Sequence, residues 1–155
     1  MNPLNNAIDH AEKHCRENGK RLTKKRKIVL RALLQTKKAI SAYELVDYCE
    51  KQLNEVIPAM SVYRILDFLQ GQGLAHKLGL SNKYVVCSDI ICDNKNEYLQ
   101  LLICDSCQRV EEVNIDAQAL KTLQTSIEKT GFHPRKPQIE INGICSRCLS
   151  AEADG

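Results

Sequence analysis

Two Cys-x-x-Cys pairs constrain this chain more than any other feature. Cys104 and Cys107 stand in "LLICDSCQRVEEV", and Cys145 and Cys148 repeat the spacing in "GICSRC". Each pair presents two thiolates on one tight turn. Two pairs complete a tetrahedral sulfur shell, which suits one structural Zn²⁺ per chain. The 37 residues between the pairs exceed the usual ribbon spacing, but they hold a full helix and a strand. A metal here staples the ends of a small module together. Structural zinc supplies about 10–16 kcal/mol of apparent binding energy, more than a small core offers alone. Buried free cysteines or a redox dithiol are the competing uses. Paired spacing argues against scattered core cysteines, whereas a peroxide-labile zinc–thiolate switch stays open, because spacing does not report thiolate reactivity.

The 155 residues suffice for one ordinary domain or two small ones. No apolar run approaches the roughly 20 residues of a membrane span. "MNPLNNAIDHAEKHC" has no apolar signal-peptide core, so the expectation is a cytoplasmic protein. In a reducing compartment, eight cysteines point to metal rather than disulfides. The net charge of +3 hides an asymmetry: residues 1–86 carry 15 Lys/Arg against 8 Asp/Glu, and residues 87–155 carry 7 against 11. A basic half beside an acidic half suggests two modules, the basic one facing a polyanion. A merely solvated charged face gives the same arithmetic, so the fold of the basic half must decide.

That half reads as helices. "NNAIDHAEKHCREN" places Leu4, Ile8, Ala11 and Cys15 on one stripe. "RLTKKRKIVLRALLQT" starts a second helix with Thr23 as N-cap and Val29, Leu30, Leu33 and Leu34 inward. Ser41 and Glu44 form a capping box before Ala42, Leu45, Val46, Cys49 and Leu53. In "MSVYRILDFLQGQG", Val62, Ile65, Leu66 and Leu69 face inward and Tyr63, Arg64 and Asp67 outward; Gly71 and Gly73 stop the helix. "LAHKLGLSNKYVVC" reads as strand, turn, strand. The pattern is a winged helix-turn-helix. The second half supplies strands in "YLQLLIC", "RVEEVNI" and "QIEINGIC", with a helix whose Leu120, Leu123 and Ile127 point inward. The expected fold is α+β: a winged-helix domain at 1–87, a linker at 88–97, a small α/β dimerisation and zinc domain at 98–150, and a tail at 151–155.

"RLT", "AISAYELVDYCE", "VYRILDFL", "GLAHK", "YVVC" and the two cysteine pairs, in this order over residues 5 to 149, resemble the ferric uptake regulator family, and within it the zinc uptake regulators. The resemblance implies a dimeric, metal-dependent transcription factor, usually a repressor, that binds operator DNA. It implies that Cys104, Cys107, Cys145 and Cys148 hold structural zinc, and that Ser61, Tyr63, Arg64 and Tyr43 touch DNA. It further implies a regulatory zinc, one more per chain, at His76, Cys87 and Glu112. The remaining ligand position holds Glu97 where the resemblance predicts His, and Lys136 stands where many members have His. The His-rich segment of the iron and peroxide sensors is absent.

From chemistry alone, a His/Cys/Glu/Glu set still favours Zn²⁺ through its thiolate and imidazole. An ion held by both modules would favour one relative orientation, as a switch requires. The plain alternatives are a wing histidine at His76, a core cysteine at Cys87, a surface charge at Glu112 and a solvated linker residue at Glu97. Cys92, Asp93 and Asp89 compete for the fourth position. His10 and His14 stand one helical turn apart with no third ligand near, and read as surface. On DNA, Arg64 suits guanine O6 and N7 in the major groove. Tyr63 suits a thymine methyl or a phosphate; Lys24, Lys25, Arg26 and Lys77 suit phosphates. A solvated helix start also accounts for "TKKRK". No Gly-rich phosphate loop and no nucleophile–base constellation appears, so an enzyme is not expected. Rival readings are a family member sensing another metal or peroxide, a zinc-ribbon enzyme subunit, and a zinc adaptor that does not bind DNA.

Overall fold

The structure, a computed structural model, describes residues 2–79, 81–87, 99–113, 115–134 and 138–153. It divides into two compact units, Met1–Asn94 and Lys95–Gly155.

The first unit is built from α1 (Pro3–Glu17), α2 (Lys24–Thr36), β1 (Ile40–Ser41), α3 (Ala42–Leu53), α4 (Ala59–Gly71), β2 (Ala75–Lys77) and β3 (Lys83–Val86). Local chemistry sets most boundaries. The Thr23 hydroxyl accepts from the Arg26 N–H at 3.4 Å and opens α2. Ser41 and Glu44 exchange side-chain and backbone bonds of 3.2 and 3.4 Å, a closed capping box at the start of α3. Lys37 and Asn54, in the left-handed region at φ 53° and 58°, end α2 and α3. Gly73, at φ 71°, lets the chain leave α4 for the wing.

One core joins these elements. Ile8, Ala11 and Cys15 of α1 pack with Val29, Leu30 and Leu33 of α2, Leu45 and Cys49 of α3, and Val62, Leu66 and Leu69 of α4. Leu4, Leu34, Val46 and Leu53 lie at its edge, half-buried. Strands order as β1-β3-β2, all antiparallel, with Ile40 opposite Tyr84 and His76 opposite Val85. Strand β1 was not expected; its two residues are too short to show a period. The result is a winged helix-turn-helix.

In the second unit, β4 (Leu99–Cys104), β5 (Val110–Glu112), α5 (Ala117–Glu128), β6 (Gln138–Gly143) and α6 (Ser146–Ala153) follow one another. The sheet order is β5-β4-β6, with β4 antiparallel to β5 and parallel to β6. Its interior is thin: among the described residues, Leu101, Ile103 and Cys104 are its buried apolar residues. The expected inward face of α5 is not buried. Leu120 and Ile127 are half-exposed and Leu123 is 40% exposed. Leu102, Ile141, Ile144 and Leu149 are also exposed. A parallel pairing is normally covered on both faces, yet among the described residues Leu102 and Ile141 of this sheet stay exposed. Helix α6 was not anticipated, since "SRCLSAEA" contains the last hook cysteine and too few apolar positions to show a stripe.

Candidate metal centres and nucleic-acid interface

The sulfurs of Cys104, Cys107, Cys145 and Cys148 all lie within 4.8 Å of one another. Cys104 ends β4 and Cys107 follows on a turn that closes with Gln108 at φ 64°. Cys145 precedes α6 and Cys148 lies in its first turn. The parallel β4–β6 register sets Cys104 opposite Gly143, which delivers the second pair beside the first. The Cys107–Cys145 sulfur separation is 3.8 Å. That is far beyond a disulfide bond of about 2.05 Å. It matches the edge of a tetrahedron whose metal–sulfur distance is about 2.3 Å, which is about 3.8 Å. The donor set therefore fits a closed structural Zn²⁺ site. The Cys145 N–H donates to the Cys104 sulfur at 3.4 Å. Backbone N–H groups of Cys107 and Cys145 hold the Cys104 thiol down at about 6. Cys148, hydrogen-bonded to Cys145, is pushed up to about 12. Backbone donors aimed at the Cys104 sulfur thus favour the thiolate at that one position.

The other described cysteines differ. Cys15 and Cys49 are fully buried among apolar side chains, and burial raises both thiols. They are packing residues. Cys87 is half-buried at the end of the wing, where its N–H donates to the Leu74 carbonyl at 2.9 Å. Because His76 pairs with Val85, the residue two beyond Val85 shares the face of His76. A donor nitrogen of His76 and the Cys87 sulfur accordingly lie within 4.8 Å. Glu112 ends β5 in the second unit, opposite Leu101. Glu97, Cys92, Asp89 and Asp93 lie outside the described residues. So does Lys136.

The outward face of α4 carries Tyr63 and Arg64, both exposed, with Ser61 half-buried one turn earlier. Tyr43, in the first turn of α3, is 69% exposed and meets Tyr63 edge-on at 6.2 Å. Lys24 and Lys25 are exposed at the start of α2, and Lys77 is exposed on β2.

Arg26 has a different position. Its guanidinium sits 3.7 Å above the Phe68 ring of α4 and donates to the Arg21 carbonyl at 2.7 Å. This couples the start of α2 to α4. Arg26→Ala is expected to lower the stability of the first unit by about 1–2 kcal/mol, and Arg26→Lys to recover only part of it. Denaturant titration of the two variants checks this. His14 is half-buried rather than a free surface residue: its Nε2 lies 2.8 Å from the Gln72 carbonyl, tying α1 to the end of α4. Long-range partners of this kind leave no trace in local sequence.

A winged helix-turn-helix joined in one chain to a four-thiolate unit is the architecture of a metal-dependent transcription regulator, not of an enzyme. The chain belongs to the ferric uptake regulator family, whose model matches residues 17–142. It is 37% identical over 146 residues to the zinc uptake regulation protein of Escherichia coli strain K12, covering 94% of this chain and 83% of that one. It is 29% identical over 134 residues to the ferric uptake regulation protein of Synechococcus elongatus, covering 85% and 88%. Among solved structures, a zinc uptake regulator complexed with zinc and DNA superposes with a TM-score of 0.86 at 34% identity, over 99% of both chains.

Proposed function

We propose that this chain is a zinc-responsive, homodimeric repressor that binds palindromic operator DNA when its regulatory site is loaded, and that it controls zinc uptake genes. The observation that carries this reading is the pairing of a four-sulfur cluster of tetrahedral dimensions with a separate His76–Cys87 donor pair on the wing. Cys104, Cys107, Cys145 and Cys148 hold the structural ion. His76 and Cys87 hold a second zinc together with Glu112 and Glu97. The likeness to a zinc uptake regulator bound to zinc and DNA supports both parts. Among the described residues no helix is long and apolar enough to cross a membrane, and a regulator of this kind works in the cytoplasm.

The exposed apolar residues of the second unit, Leu102, Ile141, Ile144 and Leu149, support a two-fold partner copy as the missing cover. A dimer also presents two copies of α4 to successive half-sites of a palindrome. Within each half-site Arg64 reads a guanine through O6 and N7, and Tyr43, Ser61 and Tyr63 make neighbouring contacts. Lys24, Lys25 and Lys77 neutralise phosphates.

Arg64→Ala is expected to weaken binding by about 1–3 kcal/mol per contact and relax sequence choice at one position per half-site. Lys24→Ala and Lys25→Ala are expected to weaken all duplexes alike and reduce the salt slope by about one each. Anisotropy titrations on the same duplexes from low to high salt distinguish the two behaviours. An unchanged salt slope in both lysine variants would remove α2 from the interface.

A further inference from the structure

The first unit hides its large apolar side chains with a local exception. Its exposed large hydrophobic residues among those described are Tyr43, Val56, Met60 and Tyr63. All of them lie on α3, on α4 or on the turn between these helices. Tyr43 and Tyr63 carry hydroxyls and already have a place in the interface. Val56 and Met60 have no polar atom capable of strong hydrogen bonding, yet they are 77% and 66% exposed. Single exposed apolar residues need no explanation. Their confinement to the one segment that would face bases does.

Met60 is the second residue of α4. Tyr63 and Arg64 follow it at i+3 and i+4, so the three side chains leave one helical face. The first turn carries no acidic residue, and Pro58, its N-cap, makes no side-chain capping bond. No charge or cap crowds Met60 there. In a helix-turn-helix, the N-terminal residues of the second helix meet base edges. The apolar group that the major groove offers is the C5-methyl of thymine. A long, unbranched thioether can adapt to a methyl whose position varies between sequences.

We propose that Met60 is a specificity-determining residue that packs on a thymine methyl beside the base pair read by Arg64. It would separate thymine from cytosine at a position where a guanine-reading arginine has no preference. The inference rests on α4 being the reading helix.

The test starts from a duplex selected out of a random pool by the zinc-loaded wild-type protein. Each thymine of a half-site is then replaced singly by deoxyuridine, which removes the methyl and leaves base pairing intact. At one position per half-site the wild type is expected to lose about fourfold in affinity, the worth of one buried methyl. Met60→Ala is expected to bind the parent duplex several-fold more weakly and to be insensitive to deoxyuridine at that position only. Met60→Leu should retain the sensitivity. If Met60→Ala binds the parent duplex like wild type, or keeps the full deoxyuridine response at every thymine, the proposal is overturned while α4 remains the reader. If the wild type selects no duplex at all, both readings fall.

Discussion

Serine at Cys104 or Cys145 is expected to remove one zinc per chain and to unfold the second unit while the first stays folded. The reason is the size of the two interiors. The first unit has a core drawn from four helices and the wing strands. The second buries Leu101, Ile103 and Cys104 among its described residues, too little apolar area to offset the ordering of its chain. The sulfur cluster ties the end of β4 to the start of α6, so the metal closes a loop that the sheet alone holds weakly. With about 10–16 kcal/mol of apparent metal free energy removed, the loss should be all-or-none rather than graded. Elemental zinc analysis together with limited proteolysis reads it: cleavage should concentrate after residue 94 and spare the winged helix. A serine variant that retains its zinc and its protease resistance would show that the sheet is sufficient without the ion.

Substitution at the wing should behave in the opposite way. His76→Ala and Cys87→Ser are expected to leave the structural zinc and thermal unfolding close to wild type, yet abolish the zinc dependence of DNA binding. Coupling between two sites commonly changes affinity by about 5- to 150-fold, and that is the expected loss of DNA affinity at saturating zinc. Neither residue belongs to the buried core cluster of the first unit, so little stability is at stake. Glu112→Gln should give an intermediate loss, because a neutral amide remains a weaker oxygen ligand. Variants that bind zinc and DNA like wild type would place the sensing site elsewhere, and would turn attention to another metal or to thiol oxidation.

Much of this was legible in the residues, for identifiable physical reasons. The stripes on α1, α3 and α4 have helical period, and Thr23, Ser41 and Glu44 mark starts by side-chain chemistry that acts within one turn. Metal ligands spaced two apart are equally local. Other features depend on distant partners. The Phe68 ring beneath Arg26 is 42 positions away in the chain, so "TKKRK" reads as uniformly basic although one member is engaged internally. His14 meets Gln72 across a longer separation, 58 positions. The apolar stripe of α5 correctly signals a helix, but periodicity does not reveal whether its cover comes from the same chain. Glu97, proposed as the fourth regulatory ligand, lies in a stretch without periodicity and outside the described residues.

Zinc acting at a site separate from the four cysteines is expected to control DNA binding. The affinity of wild-type protein for a selected palindromic duplex, in zinc buffers of stepped free concentration and with zinc per chain measured in the same samples, reads this control. The expected result is a rise from one zinc to two per chain, with DNA affinity increasing over the same steps. An affinity that stays constant while zinc per chain climbs, or that changes while zinc per chain stays at one, would show that zinc at a second site does not control DNA binding.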